Sequence, residues 1–179
     1  MKKLLLFTSV AFLFACGGGK TEGGDASEAV KRIRAMEDSV FANLAFDQRS
    51  AQALLDVYKA FATTNPLDSM APEYLFRAAG VARSTHDADQ SLRLYDRIIA
   101  DYPSWRRLPD VYYLKAFTLD SDLDRKGEAR TAYKEVISRY PEHPFAKDAQ
   151  AMIDNLGLSD AELIEKFERM QQDSASAVQ

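Results

Sequence analysis

A nine-residue pattern occurs three times in this chain and constrains its fold more than any other feature. Each copy begins with a tyrosine and ends with a proline, and the tyrosines of successive copies are 37 and 38 positions apart. A period of this length indicates structural units that repeat and stack on their neighbours. The three copies are YKAFATTNP (58–66), YDRIIADYP (95–103) and YKEVISRYP (133–141).

The apolar residues around these copies follow helical spacing. Leu92, Tyr95 and Ile99 are three and four positions apart, and no stretch of the sequence shows the sustained alternation of a strand. Ser159 and Glu162 have the spacing of a capping box before the last helix. The sequence therefore predicts an all-α protein. The predicted helices span residues 26–44, 48–63, 72–84, 88–101, 109–120, 126–139, 144–155 and 159–171.

Prolines mark the alternate helices. Pro72, Pro109 and Pro144 fall where the first turn of a helix tolerates a residue without an N–H group. The closing proline of each copy would end the second helix of a pair. Together these marks predict a short right-handed α-solenoid of antiparallel helix pairs, with the repeated tyrosines between neighbouring pairs. A small residue seven positions after each first-turn proline would let paired helices approach closely: Ala79, Ala116 and Ala151.

The pattern resembles the tetratricopeptide repeat, in which a small residue precedes an aromatic one by four positions and a proline follows it by eight. Ala129 and Tyr133 with their closing proline match best, whereas Leu54 occupies the small position of the first copy. The leading tryptophan of the family is absent, since Trp105 lies in a linker. The resemblance covers about residues 48–171. A chance stack of amphipathic hairpins would have the same architecture.

The resemblance implies that the first helices of the pairs line a groove that binds a peptide or a partner's helix. The alternative is that Phe76, Phe117 and Met152 simply pack between helices. Arg106 and Arg107 lie beside Trp105 in a linker and form a small basic and aromatic patch. This patch could bind an acidic segment, but a solvated loop is the expectation. The implied groove positions are Glu73, Phe76, Gly80, Arg83, Asp110, Tyr113, Phe117, Asp120, Phe145, Asp148 and Met152.

The start of the chain has the pattern of a targeting signal. Two lysines precede an uncharged run over residues 4–14, which is shorter than the roughly 20 apolar residues of a membrane span but fits a signal-peptide core. The following residues, Leu13-Phe14-Ala15-Cys16, resemble the lipobox of bacterial lipoproteins. The resemblance implies cleavage before Cys16 and a lipid on its sulfur. The alternative is an ordinary secreted protein with a chance cysteine.

The segment after Cys16 predicts a flexible tether, because it holds five of the eight glycines in the chain. In the lipoproteins that this signal resembles, an aspartate after the cysteine often means retention in the inner membrane. Gly17 stands there instead, which favours a lipid anchor in the outer membrane, on its periplasmic face. The predicted organisation is a signal peptide (1–15), a lipidated cysteine with linker (16–27), a helical repeat domain (28–172) and a disordered tail (173–179).

Composition and motifs favour neither catalysis nor nucleic-acid binding. The net charge of −4 and the pI of about 5.3 do not suit a nucleic-acid partner. Phosphate-binding glycine loops, nucleophile motifs and metal-spaced histidines or carboxylates are not found in the sequence. No cofactor or metal is expected apart from the covalent lipid on Cys16, and the oligomeric state is left open.

These observations predict a non-catalytic, lipid-anchored scaffold with protein partners in the cell envelope. The helix endings RIIADYP and EVISRYP resemble the BamD family of lipoproteins, which serve outer-membrane β-barrel assembly, and the repeat domain of the Tol-Pal coordinator. The resemblance implies a role in barrel assembly. The alternatives are an accessory lipoprotein of a secretion or transport complex, either pilotin-like or an uptake partner, and a domain that houses an unrecognised enzyme activity.

Overall fold

A computed structural model describes residues 22–42 and 47–176. These residues form helices joined by short linkers and contain no strand, which confirms the predicted all-α class. Cys16 and the rest of the predicted leader lie outside the described residues. The helices are α1 (Glu22–Ala42), α2 (Gln48–Thr64), α3 (Ala71–Ser84), α4 (Ala88–Asp101), α5 (Leu108–Phe117), α6 (Lys126–Arg139), α7 (Pro144–Asn155) and α8 (Asp160–Ser176).

Local signals place most of these boundaries. The Asp47 carboxylate accepts hydrogen bonds from two backbone N–H groups at the start of α2. The Asp87 carboxylate accepts one from the backbone N–H of Gln90 at the start of α4. Pro72 and Pro109 lie in the first turns of α3 and α5, as predicted. None of the described helices is long and apolar enough to cross a lipid bilayer.

From α1 to α7, each helix packs against the next, as the solenoid prediction requires. The repeated tyrosines Tyr58, Tyr95 and Tyr133 are each at most 1% exposed and belong to one continuous core. The small positions four residues before them are also fully buried. In the first copy this position holds Leu54, and its larger side chain is fully buried as well.

The predicted close-approach alanines are confirmed in two helices and wrong in the third. Ala79 and Ala116 are fully buried, but Ala151 is exposed. The linker before α7 is two residues shorter than the linkers before α3 and α5, so α7 begins at its proline and presents a different face. Ala149, which lies two residues and about 200° away around the helix, is the buried alanine.

Two ends of the helical domain extend beyond the predicted boundaries. Helix α1 begins at Glu22, inside the segment predicted as linker, and it buries Ala26 against the core. Glycines in this segment favoured a loop, since each costs about 1 kcal/mol in a helix relative to alanine. Helix α8 continues to Ser176, inside the predicted tail, and Ser176 Oγ donates to the carbonyl of Asp173 at 2.8 Å.

Candidate binding groove

The first helices of the pairs, α1, α3, α5 and α7, lie side by side and form one face. Between α1 and α3, Arg77 Nη1 lies 2.6 Å from Glu37 Oε1. Between α5 and α7, the rings of Tyr113 and Phe145 stack with centroids 4.6 Å apart and an interplanar angle of 8°. We call this face the groove. The sequence places groove residues on α3, α5 and α7, and the face also includes α1.

A chain of ion pairs runs across the groove from α1 to α5. Arg77 joins Glu37 at 2.6 Å to Glu73 at 3.1 Å, and Arg107 joins Glu73 at 3.1 Å to Asp110 at 3.4 Å. Because these side chains are partly exposed, each pair contributes at most about 1 kcal/mol. The predicted partner-binding carboxylates Glu73 and Asp110 therefore bind arginines of the same chain. Glu73 links α3 to the start of α5, whereas the Asp110 pair lies within the start of α5.

Arg77 and Tyr58, which both hydrogen-bond Glu37, keep their protons across the physiological range. Burial lowers the pKa of the Arg77 guanidinium, but the hydrogen bonds that Arg77 donates to Glu37 and Glu73 outweigh burial and raise that pKa overall. Burial, followed by the hydrogen bond to Glu37, raises the pKa of the Tyr58 hydroxyl. Tyr58 Oη accordingly donates to Glu37 Oε1 at 2.6 Å, while Arg77 remains a cation.

Arginines cover two of the three phenylalanines that the sequence places in the groove. Arg107 Cζ lies 4.1 Å from the ring centroid of Phe76, and Arg83 Cζ lies 5.0 Å from that of Phe117. Phe76 also meets Trp105 edge to face, with centroids 5.7 Å apart. Such cation–π contacts contribute about 0.5–2 kcal/mol each. Phe76 is half-buried and packs against the core, as the packing alternative expects, whereas Phe117 is half-buried with its ring under Arg83.

The linker patch around Trp105 differs from its predicted solvated state. Arg106 is exposed, but Arg107 folds back as the residue preceding α5 and contacts Phe76 and Glu73. The sequence could not predict these contacts, because Glu73 lies 34 positions earlier in the chain.

Asp120 is wrongly predicted as a groove residue. The α-helical geometry of α5 ends at Phe117 and continues as a π-helical turn over Thr118–Asp122, which rotates the following side chains. Asp120 is only 6% exposed and accepts from Lys126 Nζ at 2.7 Å and Tyr133 Oη at 3.4 Å. Asp122 instead reaches the groove and pairs with Arg83 at 2.6 Å.

The three predicted groove residues of α7 differ in their exposure to solvent. Phe145 is half-buried under Tyr113, and Met152 packs against the core, so both stabilise the fold. Asp148 is exposed and free to face a partner. Burial first, and then the charge of Asp148, raises the pKa of the Tyr113 hydroxyl. The exposed part of the predicted set on α7 is thus the Asp148 carboxylate.

A cavity of about 410 Å³ opens between α1, α2 and α3. The sequence placed Gly80 in the groove but missed Glu37 beside it, because α1 carries none of the repeat marks. An alanine Cβ at Gly80 would meet no other atom within 4 Å, so the space above this glycine is open. The cavity is lined by Glu37, Tyr58, Arg77, Gly80, Val81 and Ser84.

Comparison with protein families matches residues 110–143 to the tetratricopeptide repeat. The match covers most of α5 and all of α6, and it includes the unit with Ala129 and Tyr133 that the sequence identifies as the best one. The chain therefore contains tetratricopeptide-repeat structure, which typically serves as a non-catalytic scaffold for protein–protein interaction. No curated protein matches the chain. Within the described ranges, no group of three or more His, Cys, Asp or Glu side chains could hold a metal ion.

Proposed function

We propose that the chain is a lipid-anchored scaffold of the bacterial outer membrane whose groove binds a segment of a protein partner. The observation that carries this proposal is the continuous face of first helices, tied together by Glu37–Arg77, Glu73–Arg107 and the stacked rings of α5 and α7. A face held in register in this way keeps its shape before a partner arrives, which reduces the entropy cost of binding.

The anchor is proposed from the lipobox resemblance at Cys16. Lipidation contributes about 0.8 kcal/mol per buried CH₂ group, and two chains are needed for stable attachment. The acidic chain would gain no electrostatic attraction from an anionic bilayer, so the lipid itself would hold it. Periplasmic placement and a role in β-barrel assembly are proposed from the lipobox and the helix-ending resemblances.

Photo-cross-linking in whole cells tests the groove and the pathway together. A photoreactive phenylalanine analogue replaces exposed Ser84 at the groove cavity, and a matched variant carries it at exposed Lys134 on α6. We expect protein adducts from position 84 only, and barrel-assembly subunits among them. Equal adducts from position 134 would contradict binding at the groove. Adducts with a secretion or uptake complex would replace the barrel-assembly pathway with that of an accessory lipoprotein.

A separate variant tests the anchor. Cys16→Ser removes the only sulfur to which the lipid could attach, so the variant should leave the outer-membrane fraction and fail to incorporate labelled palmitate. A Cys16→Ser protein of unchanged size that stays in the membrane would exclude lipid anchoring at this residue.

A further inference from the structure

We infer that the cavity over Gly80 is a subsite for one uncharged apolar side chain of an extended partner segment whose main chain crosses α3 at this glycine. The inference rests on the proposed groove function and adds where the partner is held and which side-chain class enters. We call this site the Gly80 subsite; it is the cavity lined by Glu37, Tyr58, Arg77, Gly80, Val81 and Ser84.

The fold itself does not require a glycine at position 80. Gly80 lies inside α3, where glycine is less favourable than alanine because it loses more conformational freedom on folding. Its φ is not in the left-handed region, and an added Cβ would touch nothing within 4 Å. The missing side chain leaves the helix backbone open to close approach, which is a use of glycine at binding surfaces.

The charges of the subsite compensate each other. Glu37 Oε1 accepts from both Tyr58 Oη and Arg77 Nη1, each at 2.6 Å. A charged side chain that entered would lose its hydration without gaining an unpaired counter-charge, which is unfavourable. An apolar side chain would instead be buried against the Tyr58 ring and Val81.

The remainder of the groove favours the same position for an apolar anchor. Arg107 covers Phe76 and Arg83 covers Phe117, so a partner would have to displace a paired arginine to reach either ring. The Gly80 subsite is open without any such displacement. A partner segment that lies across the groove is therefore expected to place its apolar residue here and polar residues over the ion pairs between α3 and α5.

Peptide selection supplies a defined probe. Random eight-residue peptides displayed on phage are selected against the full chain in a neutral detergent, and the enriched peptide is synthesised. Calorimetric titrations then compare the original chain with Gly80→Ala and with the matched control Gly127→Ala. Gly127 is an exposed helical glycine of α6 that also has open space for an added methyl group, but it is not among the residues that line the subsite.

Gly80→Ala should raise the melting temperature by about 2–4 °C, because it replaces a glycine inside a helix by alanine, and Gly127→Ala, in the first turn of α6, should raise it by less. Only Gly80→Ala should lower the affinity for the peptide, by about tenfold, since the new methyl group occupies the path of the bound segment. Replacing one apolar peptide residue by lysine or aspartate should weaken binding to a similar extent. Because Gly80→Ala gains stability while losing affinity, loss of folding cannot explain the expected result.

Equal affinity of the Gly80→Ala variant, a requirement for a charged peptide residue at this position, or failure to enrich any peptide would each overturn the inference. The adducts at position 84 decide the proposed function separately. If those adducts form in cells while Gly80→Ala leaves the peptide affinity unchanged, the groove binds a partner by another part of its surface. If neither occurs, both the groove function and the subsite are wrong.

Discussion

Arg107 shows how one side chain can belong to several parts of a repeat structure at once. It precedes α5, pairs with Glu73 on α3 and with Asp110 in the first turn of α5, and covers the ring of Phe76. Its planar guanidinium can stack on a ring and hydrogen-bond at its edge at the same time. A lysine at this position would keep the charge and lose that combination.

Arg107→Ala should therefore lower the free energy of unfolding by about 1–2 kcal/mol, from lost ion pairs and lost packing on Phe76. The neighbouring exposed Arg106→Ala is the matched control and should change it by less than about 0.5 kcal/mol. Urea denaturation followed by circular dichroism measures both values. Equal effects from the two variants would mean that the contacts of Arg107 contribute nothing to stability.

At the scale of single helices, the ends of the elements were predictable and their orientation about the helix axis was less so. The capping box before α8 is confirmed: Ser159 N and Ser159 Oγ each donate to Glu162 Oε2 at 2.7 Å. Such a motif depends on residues three positions apart, which a sequence displays directly. The face of α7 depends on the length of its linker, so the prediction for Ala151 failed where that for Ala79 succeeded.

Helix α7 offers a direct test of its corrected orientation. Ala149→Leu should lower the free energy of unfolding by about 1–3 kcal/mol, because the larger side chain has no space in the core. Ala151→Leu adds the same atoms on the exposed side and should have an effect below about 0.5 kcal/mol. Thermal denaturation of the two variants distinguishes the faces, and a larger loss from Ala151→Leu would restore the original prediction.

Helix α8 should become less stable in acid. Hydrogen bonds from Ser159 lower the pKa of the Glu162 carboxyl in the folded state. The stabilisation is therefore fully present above the unfolded-state pKa, about 4.3 for a glutamate, and is lost as the pH falls through the lower folded-state pKa. The protection factors of amides in the first turns of α8, which are corrected for the intrinsic exchange rate at each pH, should fall over that range. Glu162→Gln should abolish this dependence, whereas Glu165→Gln should retain it.

At the scale of the molecule, the architecture could be predicted from the sequence and the chemistry of its groove could not. Repeated tyrosines, prolines and caps are local marks, and they located the helices and the buried Tyr95 and Tyr133. The groove depends on pairs such as Arg77 with Glu37, which are 40 positions apart. Only the packed solenoid brings such residues together, so sequence spacing alone could not show which charges were already paired.

A solenoid in which each unit contacts its neighbours should open from its weakest end. Leu75 and Ile98, in α3 and α4, are fully buried, whereas none of the described side chains of α8 is buried and Phe167 is 52% exposed. Native-state hydrogen exchange should therefore give α8 the lowest opening free energy and α3 and α4 the highest. Phe167→Ala should leave the exchange of α3 unchanged, because that side chain contributes little to the core. Amides of α8 that exchange as slowly as those of α3 would mean that the helices unfold as one cooperative unit.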